Sequence, residues 1–486
     1  MKEAKSLIIN SIYNVLYKMM NVLFPLITTT YVSKILLASG VGKIAYAQNI
    51  SAYFVTVAAL GIPNYGIREC AKVKDDSNLL NKLFSDLFTI NFISTTICVV
   101  SYYLFILQFG VMLIDLKLYI IIGLSVVFNY MNVDWFYQGN EQYVYIAKRS
   151  FVIKIISLCL IFVFVRSPEH FYRYACIYIL GIGGNSILNI INLKKFNIER
   201  FISLGGIKSH IKPILVLLSS VIAIELYTMV DTTMIGYFCN DENVGYYTNS
   251  MKLVKTLISV ITAVGSVLLP RLSYYHSIGK VEECSEIVSK VFCIMLMFFV
   301  PCQIGLYMMS NQIVMILFGE SFLPGESTLK IASFLICTLG FSNLFGTQIL
   351  LTFGQEKKLL ICTLFGAISN IFLNVILIPQ FLQDGAAIAS VVSESIVTIL
   401  TLIFSLKFIK LHITEKFIRT LVSSNVALFC LLFIVKIFIK DNVLSLMVGV
   451  SCGLVLYLLI NILAKNEFLF ELYNKVWNFL NAKKCH

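Results

Sequence analysis

The chain has 486 residues, of which 58% are hydrophobic and only 13% are charged, and its mean hydropathy is +0.85. Because soluble domains carry about 25% charged residues, this composition excludes a large water-soluble domain and indicates a polytopic membrane protein. The net charge is +12, and most basic residues stand at the ends of apolar segments, where the positive-inside rule expects them. This placement argues against nucleic-acid binding.

Apolar segments of the length that a helix needs to cross a bilayer, about 20 residues, recur along the whole chain. A water-free interior forces backbone groups to pair within each segment, so we predict an all-α membrane protein with about 14 transmembrane helices. Their approximate ranges are 8–32, 44–66, 84–109, 118–138, 143–165, 171–192, 213–237, 245–269, 287–309, 326–352, 359–378, 386–406, 417–439 and 442–463. The bias of Lys and Arg places both termini in the cytoplasm, and the amphipathic tail over 466–486 is expected on the cytoplasmic membrane surface.

The second half of the chain repeats features of the first half at a constant offset. Val41-Gly42 aligns with Val244-Gly245, and Arg68 aligns with Arg271, each pair being 203 residues apart. Six spans separate the copies, so both enter the membrane in one orientation, which predicts a parallel pseudo-two-fold repeat. We predict a six-helix bundle over 1–200, a second over 201–410 across a cleft, and an appended helix pair over 411–465.

Charged residues inside apolar spans are expensive and by default mark a pathway or a site. We take Lys18, Lys252 and Lys255 as candidates for an anionic substrate, because lysines on facing bundles would line a basic, water-filled cavity and lysine suits phosphate as a point charge. Arg68 and Arg271 close corresponding cytoplasmic span ends. They either gate the cleft or anchor the helices to lipid headgroups.

Acidic residues within the spans form a second candidate set: Asp134, Glu225, Asp231 and Glu394. Glu225 and Asp231 are six residues apart on one predicted helix, which puts them about 120° apart on adjoining faces. They either bind a coupling cation or hold the lysines apart, and for Glu225 a structural pairing with a lysine remains an alternative. Asp134 and Lys154 lie near cytoplasmic span ends, where an ordinary interfacial charge explains them equally well.

Catalytic and metal-binding patterns are missing from the sequence. The five histidines fall in loops or at the termini without ligand spacing, and the 13 cysteines lie mostly inside apolar runs. Neither a Walker A sequence nor a paired acidic motif of a glycosyltransferase type occurs. We therefore expect a protein that is not an enzyme, with no metal site and no cofactor, and with coupling to Na⁺ or H⁺ left open.

Several segments resemble the polysaccharide-biosynthesis flippases (Wzx-type, O-antigen or capsule repeat-unit translocases) of the multidrug/oligosaccharidyl-lipid/polysaccharide exporter superfamily. They follow one another along nearly the whole chain and include YVSKILLASGVGKIAYAQN, LGIPNYGIREC, DWFYQGNEQYVYI, LLPRLS and NIFLNVILIPQ. The family pattern after the first span reads Ser-Arg-x-Leu-Gly. Here it reads Ser33-Lys34-Ile35-Leu36-Leu37, which keeps the positive charge but replaces the glycine by leucine.

The resemblance implies a bacterial inner-membrane protein that moves undecaprenyl-diphosphate-linked oligosaccharide from the cytoplasmic to the periplasmic leaflet by alternating access. Its implied partners are this lipid-linked oligosaccharide, the bilayer, and polysaccharide polymerase and chain-length machinery. A lipid II flippase and a cation-coupled multidrug exporter of the same superfamily remain alternatives, since both would share the fold.

Overall fold

The structure is a computed structural model that describes residues 2–108, 114–196, 198, 206–266 and 269–466. For some helical residues only the backbone is described, and not the side chain: 2–19, 21–22, 219–224, 226–227, 260–261, 263–266 and 269–271. The described ranges are helical with short connections and contain no strand, which confirms the all-α class. Two compact units divide the chain, an N-terminal unit over 1–245 and a C-terminal unit over 246–486.

The helices of the N-terminal unit are mostly long and apolar. They are α1 Lys2–Ala59, α2 Ile62–Val73, α3 Ser77–Gln108, α4 Leu116–Phe128, α5 Asp134–Gly139, α6 Tyr143–Phe164, α7 Phe171–Asn192 and α8 Ile207–Phe238. Helix α9, Asp241–Ser266, begins in this unit and continues into the next one. Helix α1 packs against α3, α4, α6 and α8, so it forms the centre around which the unit is built.

The C-terminal unit alternates long helices with short ones. Its helices are α10 Leu269–Ser277, α11 Val281–Met308, α12 Ser310–Leu317, α13 Glu326–Ala332, α14 Leu335–Ser342, α15 Glu356–Ser405, α16 Glu415–Phe438 and α17 Asn442–Leu463. A π-helical stretch, Asn343–Leu350, continues α14. Helices α16 and α17 pack together as a pair, with Tyr457 donating a hydrogen bond of 2.9 Å to the Met297 carbonyl of α11.

Seven described helical segments are long and apolar enough to cross a membrane, or eight if one bent pair counts as a span. These segments confirm a multi-pass membrane protein, while the count of 14 spans stays a prediction. Two segments reach about 50 residues, 23–73 and 356–405, and each contains a break: Leu37 has φ 59° and ψ 179°, and Leu382 has φ 53° and ψ −133°.

The two glycines that the 203-residue offset aligns lie against each other where α1 crosses the first turn of α9. A Cβ built on Gly42 would overlap the carbonyl oxygen of Asp241, and one built on Gly245 would overlap that of Ala38. Asp241 and Ala38 are themselves 203 residues apart, so each glycine faces the carbonyl four residues before the other. A reciprocal contact of this kind is what a local two-fold relation produces, and it supports the alignment of the two copies.

Candidate functional site

A polar cavity of about 290 Å³ lies inside the N-terminal unit, between α1, α4, α6 and α7. Most of its lining carries hydroxyl, amide or charged groups, although the helices around it are apolar. The lining residues are Val55, Ser125, Phe128, Asn129, Asn132, Asp134, Arg149, Ser150, Lys154, Ile182, Asn185 and Ser186. Because polar and ionisable groups are costly inside apolar spans, their concentration here marks the strongest candidate site in the described part of the chain.

A buried ionic cluster closes one part of this cavity. Arg149 of α6 donates from Nη1 to Asp134 Oδ1 over 2.9 Å and from Nη2 to Oδ2 over 3.5 Å. Asn189 of α7 donates to the same Asp134 oxygen and accepts from Arg149 Nη1. The Arg149 side chain is 3% exposed and the Asp134 side chain 38% exposed. Asp134 is therefore the partner of a buried arginine rather than a solitary interfacial charge.

An interrupted helix brings Asp134 to the cavity. Helix α4 ends at Phe128, and Asn129 in the next turn donates from Nδ2 to Asn91 Oδ1 over 3.1 Å and to Thr95 Oγ1 over 2.9 Å. Asn91 in turn donates over 2.7 Å to the Asn129 carbonyl. These bonds to α3 satisfy polar groups at the point where the helix is interrupted. The chain can therefore form a polar turn inside the unit and begin a new helix at Asp134.

Three buried polar atoms at the cavity have no hydrogen-bond partner among the described residues: Arg149 Nε, Ser125 Oγ and Asn185 Oδ1. The amide nitrogen of Asn185 is already used, since it donates over 2.7 Å to the Gly181 carbonyl. An unsatisfied buried donor or acceptor costs about 1–3 kcal/mol. All three atoms are buried within the wall of the cavity, so their unmet hydrogen-bonding capacity is a local cost to the packing there.

Among the residues that line the cavity, basic side chains outnumber acidic ones by two to one. Asp134 contributes one negative formal charge, while Arg149 and Lys154 contribute one positive charge each. The half-buried Lys154 ammonium lies 5.7 Å from the centroid of the Phe24 ring. Such a lining disfavours a simple cation, because the single carboxylate is already bonded to Arg149 and Asn189.

Arg68, which the sequence also predicts as a site residue, does not line this cavity. Lys18 falls outside the described side chains. Arg68 is exposed on α2, where its Nε donates to Glu69 Oε1 over 3.1 Å and its guanidinium lies 5.5 Å from the Tyr65 ring centroid. Lys74 follows the last residue of α2. Its ammonium donates a hydrogen bond of 3.1 Å to the Glu141 carboxylate, and this bond raises the pKa of Lys74. The α2 end is therefore a charged surface, which fits either the gating or the anchoring interpretation.

The two acidic residues of α8 differ in their surroundings. Asp231 is buried, whereas Glu225 is half-buried, and neither lines the polar cavity. Near Asp231, α8 is fixed to α1 because Asn49 Nδ2 donates to Thr233 Oγ1 over 2.7 Å. The Tyr53 hydroxyl lies 2.8 Å from the same Thr233 oxygen. A coupling role for these carboxylates stays a prediction.

In the C-terminal unit, Lys252 and Lys255 are exposed one turn apart on α9. Glu394 is buried on α15, one turn after Ser390, whose hydroxyl lies 3.1 Å from the Tyr247 hydroxyl of α9. Arg271 lies outside the described side chains. The prediction that lysines from both halves of the chain line one basic cavity stays a prediction.

Sequence reasoning missed most of the polar cavity. Arg149, Ser125, Asn129 and Asn185 are not among the candidate residues that the sequence predicts. Amides and hydroxyls inside strongly apolar segments were the available signal, because each must find a partner within the protein. Among the described residues, no group of three or more His, Cys, Asp or Glu is arranged to hold a metal ion.

Comparison with known proteins places these features in a family. The sequence profile of the family described as "Polysaccharide biosynthesis protein" matches residues 7–276, more than half of the chain. A protein of Escherichia coli K12 named "Putative O-antigen transporter" is 22% identical over 407 residues, which cover 81% of this chain and 95% of that protein. A Haloferax volcanii protein named as a "Probable low-salt glycan biosynthesis flippase" is 24% identical over 244 residues, about half of each chain.

Solved structures of transporters share the fold. A lipid II flippase, MurJ, in an inward closed conformation superposes with a TM-score of 0.74 at 15% identity and covers 94% of this chain and 99% of its own. An inward-facing multidrug resistance transporter of the MATE family, in the MOP superfamily, gives a TM-score of 0.62 at 15% identity over 81% of this chain and 97% of its own. At these identities the likeness concerns architecture, and it confirms the predicted MATE-like fold class.

Proposed function

We propose that this chain, which belongs to the polysaccharide biosynthesis protein family, is a flippase that moves undecaprenyl-diphosphate-linked oligosaccharide repeat units across the membrane. The headgroup crosses from the cytoplasmic to the periplasmic leaflet by alternating access, while the polyprenyl tail stays in lipid. The names of the matched relatives describe transporters and flippases, so transport rather than catalysis is the activity in question.

The observation that carries this proposal is the polar cavity of the N-terminal unit. Amide, hydroxyl and charged groups within apolar helices form a polar pocket, which favours a hydrophilic group that cannot enter hydrocarbon. Its volume, about 290 Å³, is at the lower end of the range for small-molecule sites. Such a space suits part of an oligosaccharide headgroup and not a lipid tail.

The diphosphate needs positive charge, and for it we retain Lys18, Lys252 and Lys255. Exposure of Lys252 and Lys255 on one face of α9 makes two ammonium groups available to the same anion, because residues three apart on a helix are neighbours. The excess of Lys and Arg on one set of loops supports placement in a bacterial inner membrane with both termini in the cytoplasm. Coupling to Na⁺ or H⁺, and contact with a polymerase, belong to the same proposal.

Transport by the purified full-length protein in liposomes tests the proposal. The liposomes contain undecaprenyl-diphosphate-linked oligosaccharide extracted from cells that make it, and exposure of its sugars to a membrane-impermeant oxidant is followed with time. We expect faster exposure with the protein than without it. No acceleration would refute the flippase function for this substrate, and acceleration only with lipid II would favour the lipid II alternative.

A double lysine variant tests the diphosphate assignment. Lys252→Ala combined with Lys255→Ala should reduce transport at least tenfold while leaving protein levels intact, since two charged contacts of about 1.5 kcal/mol or more are lost. The matched control is Lys280→Ala with Lys330→Ala, which removes the same charge from residues already paired with Glu283 and Glu326 at helix ends. Equal transport by the two double variants would overturn the assignment.

A further inference from the structure

A second cavity, of about 300 Å³, lies within the C-terminal unit. Its lining comes from the first turns of α11 and from the chain over 406–414 that joins α15 to α16, here called the α15–α16 loop. The lining residues are Val281, Glu282, Ser285, Leu406, Lys407, Phe408, Ile409, Lys410 and His412. Neither the proposed function nor the candidate residues predicted from the sequence include this cavity.

The α15–α16 loop is fixed to α11 by hydrogen bonds from its backbone. The Lys410 amide donates to Ser285 Oγ over 3.1 Å, and the His412 amide donates to Ser289 Oγ over 2.9 Å. Both serines are buried. The backbone that carries Lys407 and Lys410 is therefore held beside α11, while the two lysine side chains are exposed.

Positive charge exceeds negative charge among the described residues that line this cavity. Lys407 and Lys410 contribute one positive charge each and Glu282 contributes one negative charge, so the lining sums to +1 with histidine counted as neutral. Lys358 adds an ammonium group nearby, at 4.9 Å from the centroid of the Phe408 ring. A lining of this charge is neutralised by one phosphodiester.

The cavity lies where three apolar helices begin or end. Helix α11 begins at Val281, α15 ends at Ser405 and α16 begins at Glu415, and all three belong to segments long and apolar enough to cross a membrane. At the ends of its spans a membrane protein meets the headgroup region of the bilayer. Leu406 and Val281 in the lining are exposed, as is Ile403 one turn earlier. Basic and apolar groups are thus available to one lipid molecule.

We propose that this cavity binds the headgroup of an anionic phospholipid of the phosphatidylglycerol type, with Lys407 and Lys410 as the residues that bind its phosphate. Basic pockets between transmembrane helices bind anionic lipid headgroups. The carboxylate of Glu282 can accept hydrogen bonds from the hydroxyls of the headgroup glycerol, which gives an acidic residue a role in a basic lining. The inference goes beyond the proposed function, because it concerns a lipid that stays bound and is not transported.

Two other phosphate compounds share part of this chemistry. Phosphatidylethanolamine has a phosphate for the lysines and an ammonium for Glu282, but its zero net charge leaves the positive charge of the lining uncompensated. Inorganic phosphate compensates that charge but leaves Leu406 and Val281 in contact with water. The binding experiment therefore compares these compounds with phosphatidylglycerol.

Native mass spectrometry of the full-length protein measures which lipid stays bound. The protein is released from nanodiscs that contain equal amounts of phosphatidylglycerol, phosphatidylethanolamine and phosphatidylcholine with the same acyl chains. We expect phosphatidylglycerol adducts to exceed each of the other two by about fivefold or more. Equal retention of the three lipids, or displacement of phosphatidylglycerol by ammonium phosphate at equal concentration, would overturn the proposal.

Two double variants connect the lipid to the named lysines. Lys407→Ala with Lys410→Ala should reduce phosphatidylglycerol retention at least about tenfold, because each lysine near an anionic lipid contributes about fivefold. The matched control is Lys436→Ala with Lys440→Ala, which removes the same charge from exposed lysines at the other end of α16, away from the cavity lining. Equal retention by the two double variants would refute the assignment to this cavity.

A conservative variant and a salt series separate lipid binding from folding. Lys407→Arg with Lys410→Arg keeps both charges and should retain phosphatidylglycerol as the wild-type protein does. Raising ammonium acetate from about 0.1 M to about 1 M shortens the Debye length from about 10 Å to about 3 Å, so phosphatidylglycerol retention should fall while phosphatidylcholine retention stays constant. Retention of phosphatidylglycerol that salt does not change would contradict a site built on exposed charges. These measurements involve no transport, so their outcome is independent of the flippase assay.

Discussion

Leu37 occupies a backbone conformation that is almost restricted to glycine, and this makes a sharp mutational test available. Its φ of 59° and ψ of 179° place it outside the helical region at the break within α1. In the sequence, Leu37 is the last residue of the segment Ser33-Lys34-Ile35-Leu36-Leu37. We predict that Leu37→Gly gives a more stable protein than Leu37→Ala, the reverse of the usual order within helices.

The expected magnitude comes from two opposing effects. A non-glycine residue in this region costs about 1–3 kcal/mol, which glycine recovers and alanine does not. Glycine loses about 0.5–1 kcal/mol through the greater freedom of its unfolded chain. The difference leaves Leu37→Gly about 0–2.5 kcal/mol more stable than Leu37→Ala, with a central value of about 1 kcal/mol. Both variants lose the same leucine side chain, which is 43% exposed, so its burial cancels from the comparison.

Thermal unfolding of the purified variants in one detergent measures this order. Leu124 supplies the control position, because it is 39% exposed in the regular helix α4. At that position Leu124→Gly should be about 1 kcal/mol less stable than Leu124→Ala. If Leu37→Ala were as stable as Leu37→Gly, or if both positions showed the same order, the strained backbone at Leu37 would be refuted.

Two further predictions concern the buried cluster and the glycine crossing. Asp134→Ala should destabilise by about 3 kcal/mol because it leaves a buried arginine without its carboxylate, whereas Arg149→Met should cost about 1 kcal/mol because the carboxylate left behind is partly exposed. Detergent unfolding curves measure both, and the opposite ranking would contradict the assigned burial. Gly42→Ala should cost about 1–3 kcal/mol by forcing α1 away from the Asp241 carbonyl, whereas Gly305→Ala, with open space around it, should be neutral or stabilising. Equal midpoints for these two variants would contradict the close crossing.

The sequence was sufficient for the class of fold because hydrophobicity and segment length determine it. Apolar runs predicted a helical multi-pass protein, and the described helices agree. The number of spans was harder to obtain, since a helix can break without glycine or proline at the break, as Leu37 and Leu382 show. In the sequence these two leucines are indistinguishable from other apolar residues, and only their backbone dihedral angles reveal the breaks.

The candidate site was predictable only one residue at a time. Asp134 stood out because a carboxylate in an apolar span is expensive. Its partners Arg149 and Asn189 lie 15 and 55 residues further along the chain, on two other helices. No periodicity within a helix reports a contact between helices, so the cluster becomes visible only when α5, α6 and α7 are packed together.

The repeat shows where the two copies stayed alike and where they diverged. Backbone packing stayed symmetric, because Gly42 and Gly245 each approach the carbonyl four residues before the other. Side-chain chemistry diverged at Lys252, whose counterpart at the 203-residue offset is Asn49. Asn49 donates to the Met229 carbonyl over 3.1 Å and to Thr233, so it fixes α1 to α8, whereas Lys252 is exposed. A position that packs helices in the first copy is thus occupied by an exposed charged residue in the second.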